Sequence, residues 1–232
     1  MKYTVILSMI ALVVLAVPTL GDPAKVRVAD TPGRQGDGGP FSITVIQGPL
    51  SYVGDNSTVT IPVGGQFLSF CIERHEPISL PGDYWVEINT GAVAGGVGGD
   101  PDPLDTRTAA LYRQWRAGPL ASNPVYQLAM WSLEQEAVFD GGVDNRWEDT
   151  ASGNALRPAY QVGEAPVTNL IATVGNPPDL GNVRVMTLWR NWTLADGFYG
   201  YAQDQLVVPV PAAVLLGMFG LTAAGLKLRK FV

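Results

Sequence analysis

Both ends of the chain are apolar segments without a single acid, and they leave 187 residues, Asp22 to Val208, to make a fold of their own. Residues 1–21 carry Lys2, an apolar run from Val5 to Val17 and then turn-forming residues, the pattern of a secretory signal peptide. Residues 209–232 begin with Pro209 and Pro211, continue as an apolar run from Ala212 to Leu226, and close with Lys227, Arg229 and Lys230. As a helix, residues 211–226 would reach roughly 24 Å at about 1.5 Å per residue, slightly short of a hydrocarbon core of about 30 Å, with Lys227 placed to snorkel. Basic residues after a membrane helix put the extreme C-terminus in the cytoplasm and the body outside.

The formal charge of −6 understates the acidity of that body, because Lys2, Lys227, Arg229 and Lys230 all lie in the ends. Between Asp22 and Val208 eleven basic residues face 21 acidic ones, which argues against binding a phosphate backbone, so no nucleic-acid partner is expected. A single cysteine, Cys71, leaves no internal disulfide, cysteine-ligated zinc site or iron–sulfur cluster within one chain. A single histidine, His75, leaves no polyhistidine metal centre, and no cofactor or metal is expected.

Short runs rich in β-branched and aromatic residues recur at Phe41–Gln47, Ser57–Val63, Gln66–Ile72, Tyr84–Ile88, Asn182–Trp189 and Ala202–Val208, separated by Gly, Pro, Asn and Asp. They predict one mainly β, α+β domain over 22–208, an antiparallel sandwich or barrel with two or three inserted helices. Thr31–Pro40 and Gly91–Pro103 read as loops on composition. A first helix is predicted over Thr106–Ala117, with Asp105 as N-cap and Gly118-Pro119 as its stop. A second runs from Pro124 to about Val138, with Asn123 as N-cap and proline at the first helical position. The Val125–Trp131 part of that helix is apolar almost all round, which predicts burial and makes Gln127 the odd residue.

Alternation in the strand ending at Glu73 puts Leu68, Phe70 and Ile72 on the better core face and Ser69, Cys71 and Glu73 on the face open to a covering helix or groove. A buried Gln127 needs a partner, since an unsatisfied amide costs about 1–3 kcal/mol. A helix packed across the Cys71 strand could supply one. A lone cysteine is also commonly a small buried hydrophobe, and inert packing of Cys71 is the competing expectation.

Two resemblances add to these readings. Val208-Pro209-Val210-Pro211-Ala212-Ala213, the apolar run and the basic cluster resemble the VPxPAA variant of the bacterial PEP-CTERM sorting signal, with Val210 where most members carry Glu. The resemblance implies a protein sorted to the cell envelope or surface by an exosortase-type peptidase, in a bacterium that also makes exopolysaccharide. Phe70-Cys71-Ile72-Glu73, followed by Tyr126-Gln127-Leu128-Ala129-Met130-Trp131, resembles the thioester domain of bacterial surface adhesins. Tyr126 stands where that pattern prefers Thr, and Glu73 where Asp is commoner. The resemblance implies an internal thioester between Cys71 and Gln127, open to attack by amines or hydroxyls on a target surface. Most of Phe70 to Ala213 is also similar in order and motif to uncharacterised exosortase-sorted proteins, which carry no activity over.

Other constellations are weaker. Glu134 and Glu136 on one helix would point about 200° apart, so they cannot flank a glycosidic bond and read as a solvated helix end. His75 reads as a surface-loop residue, with the Cys-His base role as the sharper alternative. Asp100, Asp102 and Asp105 match no compact calcium loop. Six tryptophans raise a second function class, a noncatalytic carbohydrate- or matrix-binding module in which Trp147, Trp189 and Trp192 form a stacking platform. Asn56-Ser57-Thr58 and Asn191-Trp192-Thr193 read as surface turns. No turnover enzyme is expected.

Overall fold

The computed structural model describes residues 23–32, 34, 38–55, 57–76, 78–93, 101–118, 124–142 and 144–208. The signal peptide, the membrane segment over 211–226, and Asn56, Asp100, Pro119 and Asn123 lie outside them. Among the described residues no helix is long and apolar enough to cross a membrane.

Among the described residues, twelve strands and three α-helices follow one another along the chain. They are β1 (Lys25–Asp30), β2 (Phe41–Gln47), β3 (Leu50–Val53), β4 (Thr58–Ile61), β5 (Gln66–Ser69), β6 (Gly82–Asn89), β7 (Gly91–Ala92) and β8 (Asp102–Pro103), then α1 (Thr106–Ala117) and α2 (Pro124–Leu133), then β9 (Ala137–Asp140), β10 (Arg146–Asp149), α3 (Glu164–Ala172), β11 (Arg184–Thr193) and β12 (Gly197–Val207). Six of the strands form one antiparallel sheet in the order β12-β11-β6-β1-β2-β5, and three small hairpins surround it.

The sheet curls until its two outer strands meet. Just past β5, Ile72 N–H donates to Asp204 O at 3.2 Å and Leu206 N–H donates to Phe70 O at 2.9 Å, so Cys71 faces Gln205 across the seam. Side chains reinforce the join: Ser69 Oγ donates to Leu206 O at 2.6 Å, and the Tyr112 hydroxyl of α1 donates to Leu68 O at 2.6 Å. These bonds satisfy edge carbonyls that would otherwise be stranded in an apolar interior.

Phe41–Gln47 and Thr106–Ala117 form as the sequence predicts, and the Asp105 carboxylate caps α1 by accepting from Arg107 N at 2.7 Å. On α1, Leu111, Tyr112 and Trp115 are buried, and Trp115 meets Phe70 edge to face at 4.6 Å between centroids. Three expectations are corrected. Around Cys71, Leu68, expected on the core face, is only half-buried, whereas Phe67 and every residue from Ser69 to Glu73 are buried, with Trp115 of α1 packed on Phe70 and Gln127 of α2 on Cys71. The second helix stops at Leu133, not near Val138. Gln135 takes φ 64° and lets Glu136 N–H reach back to Trp131 O at 2.7 Å, closing the helix end before β9 begins. The Gly91–Pro103 loop contains the β7–β8 pair.

Candidate functional site

The seam fixes the backbone on both sides of Cys71, and α2 lies across it. Gln127 sits on the buried face of α2, and neither its side chain nor that of Cys71 reaches solvent. The two are in direct contact. Gln127 Nε2 donates to Cys71 O at 2.8 Å, and the free Cys71 thiol donates to Gln127 Oε1 at 3.7 Å. The same Oε1 accepts from Gly39 N–H at 2.7 Å, and the neighbouring Gly38 N–H donates to the Tyr160 hydroxyl at 2.7 Å. The glutamine amide therefore has the partners its burial requires.

Glycine is needed at 38 for reasons of space. A Cβ there would lie 2.7 Å from Gln127 Cδ and Oε1, and one at Gly39 would lie 2.6 Å from Ser69 O. The Gly38-Gly39 backbone can thus approach the amide more closely than any side-chain-bearing residue could. Sequence reading placed this segment in a loop and missed its role; two adjacent glycines before Pro40 were its only signal.

Electrostatics keep the sulfur neutral. Burial pushes the Cys71 thiol up to about 12; its own backbone hydrogen bond, Arg34 and the Trp131 indole favour the thiolate but do not overcome that cost. A protonated thiol and a thioester sulfur are both uncharged, so a dry site accommodates either. Trp131, one turn beyond Gln127 on α2, is fully buried and meets Tyr160 at 5.1 Å between centroids.

The remaining candidates fall elsewhere. His75 Nε2 lies 2.6 Å from Asp149 Oδ2, and Asp149 is also paired with Arg74, so the imidazole is tied to a buried carboxylate. Glu134 and Glu136 are not a solvated helix end, since both are buried. The early stop of α2 turns them inward, where Glu134 Oε1 accepts from Asp105 N and Glu136 Oε2 from Arg74 N, each at 3.2 Å. The Trp147-Trp189-Trp192 platform does not form: Trp147 is buried with Nε1 donating to Val162 O at 2.9 Å, Trp189 stacks on Phe198, and Trp192 leans on Trp85 at 46°. Of the sorting residues, Val208 is buried just past β12, whereas Pro209, Pro211, Ala212, Ala213, Lys227, Arg229 and Lys230 lie outside the described residues.

Burial raises the Glu134 carboxyl to about 8, and Asp105 and Asp102 add repulsion. A folded-state value above the unfolded one of about 4.5 means that stability is lost as pH rises from about 4.5 through about 8. Glu134→Gln keeps the acceptor for Asp105 N and removes the charge. It is expected to match the wild type at the acid end of that window and to exceed it by about 2–4 kcal/mol at the alkaline end, measured by urea unfolding at each pH.

Comparison of the chain with protein-family models, curated proteins and solved structures found no match.

Proposed function

We propose that the protein is a secreted surface protein whose Cys71 and Gln127 form an internal thioester, a single-use electrophile for covalent attachment. The observation that carries this reading is the dry contact of thiol and amide, with Gly39 N–H already bonded to the oxygen that would become negative. The Cys71 sulfur attacks Gln127 Cδ, and the charge developing on Oε1 is stabilised by Gly39 N–H. The thiol proton passes to Nε2, the C–N bond breaks, and ammonia leaves a thioester. A target amine then attacks Cδ, the C–S bond breaks, the Cys71 thiol is regenerated with a proton from the amine, and an amide joins Gln127 to the target. Both reacting groups are held in place before reaction, so little entropy remains to be lost.

In this reading the curled sheet is a barrel closed at the seam that carries Cys71. Residues 1–21 direct secretion, and residues 209–232 hold the chain at the membrane through 211–226 until an exosortase-type peptidase processes the tail, a reading supported by the Pro-x-Pro, apolar and basic sequence pattern. The partners are surface amines or hydroxyls, or polysaccharide. The carbohydrate-binding alternative is less well supported, because Trp147 is in the core and the Trp85 and Trp192 rings are not coplanar.

Thiol titration of the denatured full chain tests the reading. We expect no reactive thiol in freshly purified protein, and one thiol per chain after methylamine treatment. One thiol before treatment overturns the proposal.

A further inference from the structure

A second buried cluster lies close by, built from the chain just past Cys71 and from β12. Glu73, Glu76 and Asp204 are each more than nine-tenths buried, and one carboxylate oxygen of each lies within 4.8 Å of those of the other two. One oxygen of two of these groups is fixed by backbone: Asp204 N–H donates to Glu76 Oε2 and Val93 N–H to Asp204 Oδ2, each at 2.9 Å. That leaves Glu76 Oε1, Asp204 Oδ1 and both oxygens of Glu73 without a well-formed hydrogen bond among the described residues.

We propose that Glu73, Glu76 and Asp204 bind a divalent cation of the calcium class. A buried carboxylate oxygen without a donor is costly, and three such groups, each with an oxygen within 4.8 Å of the others, call for a shared positive charge. The nearby guanidiniums have carboxylate partners outside the cluster, Arg74 with Asp149 and Arg34 with Asp30. The hydroxyls of Thr187 and Tyr201 lie beside Asp204 but carry no charge.

The donor set selects the ion. The three carboxylates offer only hard oxygens, with no imidazole or thiolate among them, which disfavours zinc and copper. Calcium accepts carboxylates singly or bidentate in irregular geometry, whereas magnesium demands near-ideal octahedral geometry. The backbone bonds to Glu76 Oε2 and Asp204 Oδ2 orient the opposite oxygens, the part that outer hydrogen bonds play around bound metals. Glu76 also lines a cleft of about 270 Å³ together with Arg34, Arg74, His75 and Gln203. The site does not depend on the thioester, and either can fail without the other.

The test is calorimetric titration of the EDTA-treated full chain with calcium chloride at neutral pH, together with melting curves in EDTA and in millimolar calcium. We expect one calcium per chain, a higher melting temperature with calcium, and at least about tenfold weaker binding in both Glu73→Gln and Asp204→Asn. No heat of binding and superimposable wild-type melting curves overturn the site, because the acids are then satisfied by shared protons. Calcium binding of unchanged strength in both variants also overturns it, placing the ion elsewhere. Should one variant not fold, the wild-type stoichiometry and the other variant still decide.

Discussion

Trp131→Ala is expected to lower the unfolding free energy by about 3–5 kcal/mol, read from urea denaturation. Trp131 is fully buried, and it packs edge-on against Tyr160, whose hydroxyl receives the Gly38 N–H. Its loss leaves a cavity between α2 and Tyr160, and both sides are held in place, α2 through Gln127 and Tyr160 through Gly38 N–H. Trp192→Ala makes the control. That ring is only half-buried against Trp85, so its removal should cost about 1 kcal/mol or less. Equal losses for the two tryptophans would show that α2 is not the packed centre described here.

Gly38→Ala is the second substitution with a large expected effect, and it acts on chemistry more than on stability. The added methyl group would sit 2.7 Å from Gln127 Cδ and Oε1, so either the loop or the amide must move. Overpacking of this kind costs about 1–3 kcal/mol. Displacement by a fraction of that distance also breaks the Gly39 N–H bond to Oε1, and with it the stabilisation of the oxyanion. Losing one such donor slows acyl transfer by about 10²–10³-fold. The variant should fold and yet retain a titratable thiol. Gly163→Ala, whose new Cβ would meet nothing closer than Pro166 Cδ at 3.9 Å, should behave as wild type.

Local pattern was legible in the sequence, whereas closure was not. Phe41–Gln47 alternates cleanly and α1 carries its own cap, so both are visible without tertiary information. The β1 segment Lys25–Asp30 also alternates, with Val26 and Val28 inward, but its six residues are too few to stand out next to the apolar run of residues 5–17. The seam between Phe70–Ile72 and Asp204–Leu206 joins segments more than 130 residues apart, and no local signal marks it. Glu134 and Glu136 were misplaced because the helix ends on Gln135 in a left-handed conformation, where glycine is the usual marker. The Cys71–Gln127 pair was legible as two short motifs, and the two side chains lie in contact. Its third member, the Gly39 N–H, was not, because a backbone donor leaves only a glycine as its trace.

Intact-mass spectrometry of the full chain beside Cys71→Ala and Gln127→Ala tests the central claim most directly. The account predicts a wild-type mass short by one ammonia relative to sequence, a gain of one methylamine on treatment, and full masses with no methylamine uptake in both variants. A wild-type mass equal to that of the sequence, in folded protein that takes up no methylamine, would contradict it.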